Sequence, residues 1–352
     1  MSISISKYAE AVRSAVLWVA GLAAFVFSSC SLIYTDQEDC EFGLHLRFKY
    51  DYNMSFGDAF ATQVSRVSVY VFDEDGKFVT CKSEEGAALA EEDYRMKIEL
   101  PHGKYRFICW GGSYDESFTH HKLTDSCVPT VELLEALMIR DSENEVKCSD
   151  GCPLRSIFWG DAKDIEVDPK SIRQETISLM KLTNQIKINL INGEGEDMCK
   201  EDFDLYMNGS NGRLCANDAC VLEDDMVKFH PYHLADRPAL LQGGTLTKAT
   251  REGVTAEFSC PRIIKDDKEL RIHAIDRRKG EDVLDFPIAT VLASYAPQAY
   301  ETADGILHFL DPQEYLDRQD LYNLTFVLKD GDWISVEIQV LAWSVRVQKE
   351  YL

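Results

Sequence analysis

Apolar and polar residues alternate along the start of the mature chain. Every even position from Leu44 to Tyr52 is apolar, and every odd position from His45 to Asp51 is polar. Successive side chains of a β-strand point to opposite faces, so this period of two predicts a half-buried strand with one face toward water. An amphipathic helix would instead repeat every three to four residues.

The same alternation recurs through most of the chain and predicts a series of strands. An acidic turn at residues 73–76 follows the strand around Val67–Val71, and the Pro101–Gly103 turn predicts a hairpin between residues 94–100 and 105–109. The pattern lapses between residues 111 and 150, where residues 131–140 are either a short helix or an irregular insertion. Further strands are predicted at residues 156–159, 176–180, 185–190, 254–258, 270–274 and 322–328.

The last alternating run changes phase near its end. Its apolar positions are first even and then odd: Ile334, Val336, Ile338 and Val340, then Leu341, Trp343, Val345 and Val347. Because a slip of one residue moves every side chain to the opposite face, the segment contains either a bulge or two strand pieces that pack against different partners.

Strands without long helical periods between them predict an all-β protein rather than a parallel βαβ architecture. We expect two tandem antiparallel β-sandwich domains, over residues 43–180 and 181–352. They follow a signal peptide at residues 1–29 and a short N-terminal segment at residues 30–42.

Cys30 ends a segment with the order of a bacterial export signal. Two cations, Lys7 and Arg13, precede an apolar run at residues 16–27, and two serines then lead to the cysteine. This order predicts a lipoprotein, in which the Cys30 thiol receives a diacylglyceryl group and becomes the first residue after cleavage. Phe27 departs from the leucine usual three residues before such a cysteine. The alternatives are an ordinary secretory signal and an uncleaved anchor.

Composition narrows the possible partners. Cleavage before Cys30 leaves 35 basic and 59 acidic residues, a formal charge of −24. Nucleic-acid binding needs clustered lysine and arginine, so this balance argues against a nucleic-acid partner. It also opposes electrostatic adhesion to an anionic membrane surface.

The sequence contains no constellation that predicts catalysis, and we expect no enzymatic activity, cofactor or metal. Motifs of hydrolases, zinc proteases and phosphate-binding loops are missing. His230 and His233 are interpreted as loop residues, because no adjacent ligand completes a metal site. Two cysteine pairs are close enough in sequence for local disulfides, Cys148 with Cys152 and Cys215 with Cys220, whereas Cys109 is expected in the core.

Several segments together resemble a known family. They are residues 39–43, 48–54, 58–60, 71–78, 109–112 and 180–186, and the strand around Trp343. This succession is similar to the FimB-type fimbrial anchor lipoproteins of the Bacteroidales, most specifically over residues 39–80. The resemblance implies transthyretin-like sandwiches, lipidation at Cys30, and a place at the base of a fimbria on the outer membrane, exposed at the cell surface.

The resemblance also implies a fimbrial shaft subunit as partner, since subunits of such pili join by strand exchange. We expect residues 334–347 to provide the contact, through Ile334, Val336, Ile338, Val340, Leu341, Trp343, Val345 and Val347. The same residues could instead form the last strand of the fold. An alternative function is that of a surface glycan-binding lipoprotein for nutrient uptake, which would share the lipid signal and the sandwiches.

Overall fold

The computed structural model of the protein describes residues 42–112, 116–120, 130–194, 197–238, 251–340 and 343–351. Strands dominate these residues, which confirms the all-β prediction. The predicted signal peptide, Cys30 and most of the segment 30–42 lie outside the described residues. No helix in the described part of the chain has the length and apolar character needed to cross a membrane.

Seven strands from the first half of the chain form one sheet, in the order β3-β2-β5-β9-β10-β1-β4. Most neighbours are antiparallel, but β1 and β10 run parallel, with Gly43 opposite Ile172. The strands are β1 (Gly43–Tyr52), β2 (Arg66–Asp73), β3 (Phe78–Glu85), β4 (Met96–Ile98), β5 (Gly103–Gly111), β9 (Phe158–Val167) and β10 (Ile172–Lys181), with a helical turn α1 (Phe60–Gln63) and a 3₁₀ turn at Ala87–Ala90.

One face of this sheet encloses a single core. Even-numbered residues of β1 lie in that core, as the alternation predicts: Leu44, Leu46, Phe48 and Tyr50 are all buried. Inward residues of β2, β4, β5, β9 and β10 belong to the same cluster, so these strands curl around it, whereas Phe78 and Cys81 of β3 pack against the core of the second half. The first half therefore forms one continuous hydrogen-bonded sheet instead of two separate ones.

The predicted hairpin across Pro101–Gly103 is wrong. Strand β4 pairs with β1, whereas β5 lies between β2 and β9. Met96 and Phe107 nevertheless reach the same core. The short connection therefore carries the chain from one margin of the curled sheet to its middle, which local alternation does not reveal.

The second half of the chain forms two larger sheets. A six-stranded sheet has the order β16-β17-β11-β22-β23-β24, and a five-stranded sheet has the order β19-β18-β12-β15-β8, in which β8 is Glu145–Val146. Strands β11 and β22 run parallel, whereas most other pairs are antiparallel. The strands are β11 (Thr183–Asn192), β12 (Phe203–Gly209), β15 (Val227–Phe229), β16 (His233–Pro238), β17 (Arg251–Pro261), β18 (Arg271–Asp276), β19 (Glu281–Pro287), β22 (Leu321–Lys329), β23 (Asp332–Val340) and β24 (Trp343–Gln348).

These two sheets pack face to face. Phe286 of β19 meets Phe326 of β22 edge to face, with ring centroids 4.9 Å apart. Both rings are fully buried in a cluster that continues onto Tyr70 and Trp110 of the first sheet. The remaining elements are β13 (Arg213–Cys215), β14 (Val221–Leu222), β20 (Ala299–Glu301), β21 (Leu307–Phe309), α2 (Ile288–Ser294), α3 (Pro312–Arg318) and 3₁₀ turns at Lys200–Asp202 and Lys349–Tyr351.

Residues 118–120 and 130–146 join the second half of the molecule. They contain β6 (Phe118–His120), a 3₁₀ turn (Val131–Leu133), β7 (Glu135–Met138) and β8 (Glu145–Val146). Strand β7 pairs with β13, and β8 pairs with β15. This pairing differs from the predicted assignment of the whole range 43–180 to one domain. The boundary at 180/181 stays a prediction; β10 ends at Lys181 and β11 begins at Thr183.

Polar contacts connect the two halves where β1 ends. The Tyr50 hydroxyl donates to Asp320 at 3.3 Å, and the Lys181 ammonium lies 3.2 Å from the same carboxylate. Burial, followed by the Asp320 charge, raises the pKa of Tyr50, so the phenol stays a donor at neutral pH. The Arg318 guanidinium stacks 4.0 Å over the Tyr52 ring. These contacts make the end of β1 part of the interface between the two halves.

The cysteine predictions have different outcomes. Cys215 and Cys220 form a disulfide with a Cα–Cα distance of 5.3 Å, as predicted. Cys148 and Cys152 are unbonded, and Cys152 is exposed. Cys109 is fully buried, which confirms its core position, and burial raises the pKa of its thiol.

Gly112 provides a test of the first sheet. Its φ is +96°, and an added Cβ would lie 2.2 Å from the carbonyl oxygen of Ser156. We expect Gly112→Ala to lower the free energy of unfolding by about 2–3 kcal/mol, since backbone strain and overlap add. Gly76→Ala is the control: its φ is +75° with open space around it, so strain alone should cost about 1 kcal/mol. Equal losses in urea unfolding would contradict the steric argument.

Candidate functional site

The C-terminal strands end the six-stranded sheet and contain the predicted partner-binding residues. Strand β23 lies between β22 and β24, and the final register pair joins Val340 to Trp343. The phase change in the sequence therefore marks a reversal between two strands that pair with each other. The prediction of two strand pieces was right, but that of different partners was wrong for this pair.

A bulge near the start of β23 accounts for Ile334. Val327 lies opposite Ser335 while the next residue, Leu328, lies opposite Trp333, so Ile334 has no partner in β22. Trp333 occupies the core and Ile334 is 40% exposed. The strand alternation assigned Ile334 to the inward set, and the bulge reverses that assignment.

Most of the other predicted contact residues serve the protein's own core. Val336, Ile338 and Val340 are buried, and Val347 is only 4% exposed. Val345, which is half-buried, lies opposite Ile338. Leu341 lies outside the described residues, and for Trp343 the structure describes the backbone pairing alone. Interior β23 is therefore committed to the fold, whereas β24 is one of the two margins of the described sheet, with β16 at the other.

Strand β24 has no hydrogen-bonded neighbour on its outer side among the described residues. Its solvent-facing side chains, Ser344, Arg346 and Gln348, are exposed. Arg346 forms an ion pair of 3.2 Å with Glu337 of β23 across the pair. Unpaired main-chain N–H and C=O groups along such a margin can bind another strand. The geometry therefore supports recognition of an extended peptide.

The histidines that the sequence singled out contact different carboxylates. His230 Nε2 lies 3.1 Å from Glu145, and His233 Nδ1 lies 3.4 Å from Asp150. The proline between them places the two imidazoles on separate elements. They share no ligand site in the described structure.

One cluster of described residues has the composition of a metal site. Ligand atoms of Cys199, Glu201 and Asp236 lie within 4.8 Å of one another. The cysteine thiol hydrogen-bonds to Glu201, and the Lys200 N–H donates to Asp236 at 2.8 Å. Protein donors thus already engage these groups, and we assign no metal to them.

A cavity of about 610 Å³ lies beside β8. Its lining combines apolar residues such as Ile139 and Leu154 with charged ones such as Arg140 and Lys147. The cations already have partners, Asp224 for Arg140 and a pair of carboxylates for Lys147. Among the described residues no aromatic side chain lines this cavity, although aromatic rings usually form the platform on which sugars stack.

Comparisons with known proteins agree with the fold. A polysaccharide-binding candidate from Bacteroides thetaiotaomicron is 30% identical, with a TM-score of 0.71, over 89% of this chain and 100% of its own. A candidate adhesin from the same organism is 27% identical, with a TM-score of 0.72 and the same coverage. The fimbrial anchor protein Mfa2 of Porphyromonas gingivalis is 13% identical with a TM-score of 0.62, over 86% of this chain and 98% of its own, which shows a shared fold. No curated protein matches.

The sequence profile of the family decides the assignment. The profile of the fimbrillin-A associated anchor proteins Mfa1 and Mfa2 matches residues 37–349, which is most of the chain. This family consists of fimbrial anchor proteins and not of enzymes. The resemblance inferred from the sequence is thereby confirmed, and the chain belongs to the Mfa2 family of fimbrillin-A associated anchor proteins.

Proposed function

We propose that this protein is a lipid-anchored base of a fimbria on the outer membrane. Family membership supports a fimbria-associated, non-enzymatic role at the cell surface. The export signal ending at Cys30 supplies the means of attachment, since a diacylglyceryl group inserts into the membrane and the acyl chains hold the protein there. The surface-exposed location follows from the need to reach the shaft.

The free margin of β24 is the observation that assigns the contact with the first shaft subunit. A strand of that subunit adds to β24, main-chain hydrogen bonds provide affinity, and neighbouring side chains provide specificity. Interior β23 lies between two strands and offers no such margin. Within the sequence-based segment 334–347, the proposed contact therefore rests on residues 343–347, which belong to β24.

Deletion of residues 341–352 tests this contact. We expect the truncated protein to lose roughly tenfold or more in affinity for the purified shaft subunit, measured by biolayer interferometry. Circular dichroism and thermal unfolding must accompany the assay, because Val347 is buried and its loss lowers stability. A truncated protein that stays folded and captures the subunit as well as the wild type would overturn the proposal.

Two further variants address the fold and the mode of contact. The backbone N–H groups of neighbouring residues in a strand point to opposite sides. Of the two variants Ser344→Pro and Val345→Pro, one therefore removes an N–H donor on the outer side of β24. We expect that variant to lower the affinity for the shaft subunit more than it lowers the free energy of unfolding. A disulfide between Glu337→Cys and Arg346→Cys, which lie directly opposite each other, fixes β24 to β23. Binding retained in this oxidised variant supports addition to the margin of the sheet; binding lost on oxidation and recovered on reduction shows that β24 itself is donated.

The glycan-binding alternative has one observation in its favour, the likeness to a polysaccharide-binding candidate at 30% identity. The cavity beside β8 is large enough for a small sugar, but its lining lacks an aromatic platform. Soluble oligosaccharides that raise the thermal unfolding temperature of the full chain would favour this alternative.

A further inference from the structure

A small ribbon made of β20 and β21 presents apolar side chains to solvent. Register pairs join Ala299 to Phe309 and Glu301 to Leu307, so these four residues share one face. All four are exposed: Leu307 by 53% and Phe309 by 76%. A surface ribbon normally turns its apolar face inward, and a large exposed apolar patch commonly marks an interaction site. No sequence pattern predicted this ribbon.

The opposite face of the ribbon is fixed to the first half of the molecule. The ring of Phe56, in the loop after β1, stacks on His308 at 3.5 Å and on Tyr300 at 6.3 Å. Arg318 covers Phe56 at 4.2 Å. Phe56 has a φ of +54°, a conformation that costs a bulky residue energy and persists only where the surroundings enforce it. The ribbon is therefore held in place while its apolar face points outward.

The charge around the ribbon is acidic. Residues 281–317 contain no lysine or arginine, and Glu301, Asp304 and Asp311 are exposed on the ribbon and the turn after it. The nearby cation Arg318 packs on Phe56, on the side of the ribbon opposite to Leu307 and Phe309, and pairs with Glu314. The Thr302 hydroxyl donates to Asp304 and lowers the pKa of that carboxyl, which keeps it ionised. An acidic rim repels a second copy of this acidic chain and an anionic lipid surface alike.

We propose that the outer face of this ribbon, with Leu307 and Phe309 at its centre, docks an apolar pocket rimmed by lysine or arginine on the fimbrial shaft subunit. The identity of the partner rests on the proposed function; the surface itself does not. Apolar side chains at the centre of a contact provide most of the affinity, and the acidic rim accelerates association with a basic partner. The ribbon thus supplies a second contact, separate from β24.

The test uses the full chain and purified shaft subunit in biolayer interferometry. We expect Leu307→Ser with Phe309→Ser to weaken binding roughly tenfold or more without lowering the unfolding temperature, since both side chains are exposed. Glu301→Gln with Asp304→Asn should slow association and reduce its dependence on salt between about 0.05 and 0.3 M. Ile172→Ser is the matched control, because Ile172 is 55% exposed at the far end of β1 and β10.

The outcomes separate the two proposals. Wild-type binding that the ribbon variants leave unchanged overturns the ribbon contact while the proposed function stands. No wild-type binding at all overturns both. Sedimentation velocity tests a second copy of the chain as the occupant of this face, and flotation with phosphatidylglycerol vesicles tests a lipid surface. If the wild type dimerises or binds vesicles and Phe309→Ser abolishes that interaction, the occupant is the second copy or the lipid and not the shaft subunit.

Discussion

Replacing Cys30 with alanine is expected to move the protein from the outer-membrane fraction into the soluble fractions and the medium. Without the thiol no diacylglyceryl group can be attached, and the acyl chains that hold the protein in the bilayer are lost. In cells that make the cognate fimbria, shed filaments should appear in the medium. Immunoblots of cell fractions and electron microscopy of the medium measure both effects.

Cys40→Ala is the matched control for this experiment. It removes a cysteine ten positions later in the same N-terminal segment and leaves the export signal intact. We expect its distribution and its filaments to match those of the wild type. If the Cys30→Ala protein stays in the outer membrane and filaments remain attached, the protein is not a lipid anchor.

The second large effect, a loss of stability, is expected at a buried ion pair between α3 and the end of β17. Arg262 makes a bidentate pair with Asp317, with distances of 2.7 and 2.6 Å, and the two side chains are 12% and 4% exposed. Arg262 also donates to the Ala219 carbonyl, and Gln313 donates to Asp317. Asp317→Ala leaves the guanidinium buried without its counter-charge, so the free energy of unfolding should fall by about 3–5 kcal/mol in urea titrations.

Two controls isolate the charge effect. The double variant Arg262→Met, Asp317→Leu removes both charges and should recover a large part of the loss, because apolar residues can replace a buried pair. Glu337→Ala breaks the exposed pair with Arg346 and should cost less than about 1 kcal/mol. Equal losses for Asp317→Ala and the double variant would show that side-chain volume, and not charge, stabilises this position.

The local sequence pattern correctly predicted most of the strands. Residues 131–140 show the limit: Val131–Leu133 form one 3₁₀ turn, and Glu135–Met138 then form a strand with Ala136 and Met138 buried. A short apolar run fits either a helix or a strand by periodicity alone. Its pairing with β13 decided the outcome, and that partner lies about 80 residues away.

The candidate site was likewise predicted from the sequence only in part. The alternation and phase change identified the last two strands, but the bulge at Ile334 and the position of β24 at the margin depend on pairing with β22 and β23. The exposed ribbon of β20 and β21 could not be predicted from the sequence, because the alternation in Leu307-His308-Phe309 is typical of an ordinary core strand. The face that carries His308 points inward because it contacts Phe56, which lies more than 240 positions earlier in the chain.

The sequence by itself determined the acidic charge, the all-β class and the family, and it predicts the export signal, because each depends on residue type and on spacing within a few positions. The tertiary structure alone decided which strands are neighbours, which strands form the margins of the six-stranded sheet, and which apolar residues remain exposed. Those outcomes depend on contacts between residues far apart in the chain. Burial of apolar surface at such contacts, which no local pattern encodes, selects one arrangement over the others.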